Sequence, residues 1–189
     1  MNKKNMELWD KVKKTDPKYT KPAKIGGMNI TAIAPQYQVQ LATEQFGPYG
    51  VGWGFKSIVL DYSLIPTFKL VVFKGVFFHP GGQFEIINSS KMYMDRAEKM
   101  VDADFAKKIE TDALTKALSK IGFNADVFMG LYDDHKYVAM MQDEFKEKDH
   151  PTANDEGWIR AGKDNKSALD QITDPAYKLR IELFIKEGY

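Results

Sequence analysis

Between Ala106 and Gly122 the chain reads AKKIETDALTKALSKIG, with lysines at positions 107, 108, 116 and 120. Ammonium groups spaced along one element break no bonds. They neutralise the phosphates of a polyanion and release its counterions, which is chemistry of binding rather than catalysis. At about 100° per residue, Ala106, Ala113, Leu114, Ala117 and Ile121 gather in one arc, with Ile109 and Leu118 at its edges. Lys108, Asp112, Thr115, Lys116 and Ser119 gather opposite. Lys107 and Lys120 fall at the two margins, where a long stem can reach water past apolar surface. The spacing predicts a helix over roughly 101–121, stopped by Gly122. One side would face a sheet and the other would present a lysine rail. Glu110 falls inside the apolar arc, where it calls for a basic partner from elsewhere.

A cation track needs more than one helix. Lys56, Lys69 and Lys74 stand on neighbouring predicted strands, and Tyr37, Tyr49 and Phe55 offer flat faces. Cations that follow a backbone, combined with aromatic faces, are what an unpaired nucleic acid strand requires. Trp53, between Gly52 and Gly54, has two readings: a base-stacking face, or an anchor in the core or a subunit interface. The net charge of +1 hides an asymmetry. Residues 1–27 hold 8 lysines against 3 acids, and residues 126–189 hold 9 bases against 14 acids. That pattern fits a polyanion-binding body with an acidic tail that competes for the same surface, or else ordinary scatter of charge.

The catalytic inventory is thin. The chain has no cysteine, so it has no disulfide framework and no thiolate chemistry. The phosphate-loop pattern G-x-x-x-x-G-K-[ST] is missing, so ATP hydrolysis is not expected. Asp126, Asp133, Asp134 and His135 could ligate a metal for a nuclease; the preferred reading of Asp133-Asp134 is a helix cap with favourable first-turn acids. His79 falls at a predicted hairpin tip and His150 in a polar stretch, both read as surface positions. No spacing selects a Ser-His-Asp set. The expectation is a non-enzyme without cofactor or metal. The most apolar run, FKLVVFKGVFF, is too short to span a bilayer and contains Lys69 and Lys74. The basic N-terminus lacks the apolar run of a signal peptide, which predicts a soluble cytoplasmic protein.

The elements that must position these residues follow from periodicity and punctuation. Met6 to Lys14 predicts a short helix stopped at Asp16-Pro17, and Lys18 to Gly27 a basic loop closing on a glycine pair. Met28 to Ala34 reads as extended. Pro35 opens a helix that ends at Gly47, with Val39, Ala42 and Phe46 on its apolar side and Leu41 off it. Three strands follow: Val51 to Asp61 with Ser57 breaking its inward row, Thr67 to Phe78 apolar on both faces, and Phe84 to Asn88 after the HPGGQ turn. Beyond the long helix, another runs from about Asp133 to Lys146. Lys148 to Lys166 reads as polar linker. Asp174 to Glu187 predicts a last helix anchored by Tyr177, Ile181, Phe184 and Ile185. The expected class is α+β, an antiparallel β-meander packed on a long helix, with an N-terminal helix and a C-terminal helical tail. The expected divisions are 1–147, 148–166 and 167–189.

In order, GGMNITAIAPQYQVQLATEQFG, GVGW, KKIETDALTKALSKIG and LYDDHKY resemble the Rad fifty-two superfamily of single-strand annealing proteins, including phage members of the Sak type. The resemblance covers about residues 18–142 and rests on the ordered set. It implies a ring or curved filament of identical subunits whose meander and long helix line a basic groove for stretched single-stranded DNA. It also implies pairing of a second strand without ATP, in recombination and repair, with the tail open to a phage or host recombination partner. Lys116 falls where the family places a base on the groove helix. Thr115 and Ser119 occupy other commonly basic positions, with Lys120 adjacent to the latter, and Tyr37 stands where the first helix often carries arginine. Lys24, Lys91, Arg96, Lys107 and Lys108 would then supply charge differently. A protein that coats single strands without pairing them is the alternative.

Overall fold

The first helix ends at Val12, ahead of Asp16-Pro17. α1 (Glu7–Val12) follows a 3₁₀ turn at Lys3–Met6, and Asp16 caps a second 3₁₀ turn at Pro17–Tyr19 through the Lys18 N–H. The computed structural model describes residues 3–95, 97–149 and 151–189. It is α+β, with two compact units, Met1–Val138 and Ala139–Tyr189.

The predicted basic loop is instead a strand. β1 (Thr20–Ile25) pairs antiparallel with β2 (Met28–Ile33), and Gly26 and Gly27 turn between them at φ +59° and +87°. Two successive positive φ values are what a two-residue hairpin turn of matching twist demands, and glycine supplies them without steric cost. The segment lacks apolar alternation because no described residue of this hairpin is fully buried. α2 (Pro35–Phe46) follows, with proline in its first turn and Gly47 beyond its end. Leu41 packs on the core beside Val39 and Phe46, so this helix buries a wider side than expected.

β3 (Gly54–Asp61), a single-turn helix α3 (Ile65–Phe68), β4 (Leu70–His79) and β5 (Gly82–Lys91) form the meander, antiparallel in the order β3-β4-β5. β4 is central. Its Val71, Phe73, Gly75 and Phe77 are buried on one face, and its Lys74 is exposed on the other. Ser57 breaks the inward row of β3 as a bulge: it adopts φ +56°, and the pairing slips between Lys56↔Val76 and Val59↔Lys74. One extra residue flips every side chain beyond it. Phe55 and Leu60 therefore pack on the core, while Val59, expected inside, is 54% exposed.

α4 (Phe105–Lys120) lies across the buried face, contributing Ile109, Ala113, Ala117 and Leu118 to a core that includes Trp53, Phe73, Phe77, Ile86 and Phe123. Each large side chain fully withdrawn from water contributes about 1.5–3 kcal/mol. The alanines allow close approach to β5. α5 (Ala125–Phe128) and a 3₁₀ turn at Leu131–Asp133 complete the unit, and α6 (His135–Asp149) begins in it and runs on into the second.

The predicted linker is a helix, α7 (Ala153–Asp164). It opens on a reciprocal cap: the Asp155 N–H donates to Thr152 Oγ1, and the Thr152 N–H donates to Asp155 Oδ2. Its polar residues other than the buried cap residue Asp155 belong to an exposed side, and Ile159 is buried. Gly162 is a packing residue rather than a hinge, since a Cβ there would stand 2.7 Å from Ile185 Cδ1 and 2.9 Å from Leu169 Cδ2. With a 3₁₀ helix at Lys166–Gln171 and α8 (Pro175–Glu187), α7 encloses Ile159, Leu169, Ile181 and Phe184. The expected anchors Tyr177 and Ile185 pack beside them. The division thus falls at 138/139 rather than 147/148, and a folded helical unit replaces linker plus tail. Among the described residues no helix is long and apolar enough to cross a membrane.

Candidate nucleic-acid interface

α4 is flanked by β5 on one side and α2 on the other, and its lysines divide accordingly. Lys116 is exposed, and its Nζ donates to the Ile87 carbonyl on the edge of β5 at 3.2 Å. A backbone carbonyl leaves the full charge available. Lys120, one turn on, is exposed in the last turn, where a cation also favours the helix dipole. Lys107 is exposed toward the α2 side, one turn before Thr111, whose hydroxyl donates to the Lys107 carbonyl at 2.8 Å. Lys108 is exposed but paired with Asp102 at 2.7 Å. Its hydrogen bonds hold the Asp102 carboxyl below the usual carboxylate range.

The strand lysines point away from α4. Lys56 and Lys74 project from the outer face of the sheet, opposite Val76 and beside Val59 respectively, and Lys91 ends β5 opposite Leu70. Lys56 lies over the Phe78 ring, with Nζ 5.6 Å from its centre. Lys74 pairs with Asp61 at 2.9 Å, and Lys69, at the left-handed end of α3, pairs with Glu98 at 3.0 Å. Hydrogen bonds from Ser63 and from Lys74 hold Asp61 well below the usual carboxylate range. Lys24 is exposed on the separate β1–β2 hairpin. Arg96 lies outside the described residues. The geometry therefore brings Lys116 to the edge of β5, whose outer face carries Lys91 and the 58% exposed Ile87, with Lys120 one turn further along α4. Lys24 and Lys69 belong to other parts of the unit.

Tyr37 is not a contact residue. It is 6% exposed, stacks on Tyr19 with ring centres 4.2 Å apart, and accepts the Asp16 N–H at 3.2 Å. Burial pushes its phenol up to about 12. Phe55 is likewise committed to the core against Phe73 and Phe77, and so is no stacking platform. Trp53 resolves to the core anchor: it is fully buried and its indole N–H donates to the Gly47 carbonyl at 2.9 Å. His79 is half-buried against Phe46 and Phe84 rather than exposed, which lowers its imidazole pKa. His150 lies outside the described residues.

Thr115 and Glu110 also depart from the simple rail. Thr115 turns toward α2 and donates to Gln38 Oε1 at 2.9 Å. It starts a relay that sequence reading missed. Gln38 Nε2 donates to Asn124 Oδ1, Asn124 Nδ2 to Thr15 Oγ1, and the Thr15 hydroxyl to Asp126 Oδ1 at 2.6 Å. The Thr15 N–H and the Tyr137 hydroxyl also donate to Asp126, and the Tyr132 hydroxyl donates to the Thr15 carbonyl. Gln38, Asn124, Thr15 and Asp126 are all buried, and full satisfaction of such groups is what makes their burial tolerable. Asp126 is thus a structural acceptor. Asp134 accepts the Lys136 N–H at 2.8 Å, as a cap of α6 does, and among the described residues no three ligating side chains gather.

Glu110 and Ala106 are exposed although both lie within the expected apolar arc. The beginning of α4 overhangs the core, and a cavity of about 350 Å³ opens there against α2. Gln38, Val39, Tyr49, Glu110, Leu114 and Thr115 are among its walls. Tyr49 is 44% exposed and stands edge-on to Trp53 at 5.0 Å. Its ring rests on Gly54, where a Cβ would come within 3.3 Å of it. Burial and then the Glu110 charge push the Tyr49 phenol up. Compared with known proteins, the chain matches no family model and no curated protein.

Proposed function

We propose that this chain binds single-stranded DNA and anneals complementary strands without nucleotide hydrolysis, as a homo-oligomer of the Rad fifty-two superfamily type. The Sak-type resemblance extends the reading to a phage protein of recombination and repair working in a host cytoplasm. The observation that carries it is the exposure of Lys116 beside the edge of β5 and of Lys120 one turn further along the same helix, whose other side closes the core of a three-stranded meander. The order of hairpin, helix, meander and long helix supports the same reading. Annealing asks for no nucleophile. Lysines that neutralise phosphates lower the repulsion between two approaching strands, and contacts confined to the backbone leave bases free to pair. Repetition in an assembly multiplies weak sites through effective concentration.

The test is the pairing rate of complementary oligonucleotides with and without protein, over a series of salt concentrations. Faster pairing is expected. Slower pairing would identify a strand protector, and unchanged rates at every salt would end the proposal. Lys116→Ala with Lys120→Ala removes two phosphate contacts. It should reduce the slope of log K against log salt by about 1.4 for a single strand, with the fold intact because both side chains are exposed.

A further inference from the structure

We infer that the cavity between α2 and α4 holds one guanine base of the bound strand, a conclusion that rests on the proposed single-strand binding. The opening of about 350 Å³ sits at the lower end of the roughly 300–1,000 Å³ range of small-molecule sites. Its walls combine a flat face, apolar sides and a charged acceptor, the ingredients of base recognition. Tyr49 supplies the face, held in place by Gly54 and by the perpendicular Trp53 ring, so stacking costs little reorganisation. Val39 and Leu114 supply the sides. The back wall is fixed: the Gln38 amide is held at both ends, by Asn124 and Thr115, and is not free to answer a ligand.

Glu110 then sets the choice of base. It makes no ion pair among the described residues and stands where the helix pattern asks for an apolar side chain. A carboxylate is acceptor-only and takes two parallel donors best. Guanine offers adjacent donors, N1–H and the 2-amino group. Thymine offers one ring N–H, and adenine and cytosine each offer an amino group beside a ring acceptor that a carboxylate repels. Lys107, Glu110, Thr111 and Leu114 share one side of α4 at i, i+3, i+4 and i+7. That alignment places an ammonium at the rim for the phosphate of the same nucleotide. A guanine held this way is withheld from pairing, so the cavity pins one nucleotide while its neighbours stay available.

The test measures binding by fluorescence anisotropy for a dT oligomer, the same oligomer with a single dG, and the same oligomer with deoxyinosine at that position. The expected result is about tenfold tighter binding of the dG oligomer, within the range a two-point base contact discriminates. Deoxyinosine, which lacks the 2-amino group, should lose most of that gain. Glu110→Gln should abolish the preference without weakening dT binding. Equal affinity for all three oligomers, or a dG preference that survives Glu110→Gln, overturns the cavity assignment and leaves single-strand binding standing. If no oligomer binds at all, single-strand binding falls, and a titration with guanosine monophosphate then reads the cavity directly. Shifts of the Val39 and Leu114 methyl resonances, absent with thymidine monophosphate, would support a guanine site; no shifts would end it.

Discussion

At the scale of single residues, the interface carries its own competitors. Lys108, Lys74 and Lys69 are each paired with a carboxylate of the same chain, so a DNA phosphate must displace Asp102, Asp61 or Glu98 to use them. Exposed pairs of this kind contribute little to stability because solvent screens them, so their weight lies in charge count rather than in the fold. Asp102→Asn should free Lys108 for a phosphate while its amide oxygen still accepts the Asp104 N–H. Titrating single-stranded DNA over a salt series should then show a slope steeper by about 0.7 and tighter binding at low salt. An unchanged slope would place Lys108 off the DNA track. The lysines themselves were legible in the sequence, because spacing along a helix says which way a side chain projects. Their partners were not, since Asp102 lies in the irregular segment before α4 and nothing local ties it to position 108.

At the scale of elements, α2 is fastened to the N-terminal segment through Tyr37 and Asp16, and α4 to α2 through Thr115 and Gln38. Burial raises the phenols of Tyr37, to about 12, and of Tyr132 above the ordinary value of about 10. A group whose folded pKa is raised lends stability that is complete below its unfolded pKa and lost as pH rises through the folded one. The first unit should therefore hold to about pH 10 and lose stability progressively from there to about pH 12. Tyrosinate absorbance followed beside the far-ultraviolet circular dichroism checks this, and full ionisation near pH 10 with structure retained would contradict it. Periodicity revealed α2, the meander, α4, α6 and α8, each of which has a buried side that repeats. β1 and α7 escaped notice because their composition is that of loops: one belongs to an exposed hairpin, and the other mixes Asn154, Gly157 and Gly162 into a helix. The T-x-x-D cap at Thr152 and Asp155 was the readable sign of α7. The buried relay left no local trace, because it joins positions 15, 38, 115, 124 and 126 only after the chain has folded.

At the scale of the whole molecule, charge follows the division into units. Residues 1–138 hold 19 bases against 15 acids, and residues 139–189 hold 8 against 11. A chain ended at residue 138 should bind single-stranded DNA more tightly than the full chain at low salt, with the two converging near 1 M, where screening acts within about 3 Å. Equal affinities at every salt would remove any electrostatic competition by the acidic unit. The hydrogen bonds that fasten Thr15 to Asp126 span 111 positions of sequence. At a synthesis rate of roughly 5–20 residues per second, the ribosome needs roughly 6–20 s to travel that interval. Until Asp126 emerges, Thr15 lacks its acceptor, and the start of the nascent protein has Tyr37 to hold Asp16 and Tyr19. The first unit can thereby close fully only after most of its length has left the exit tunnel.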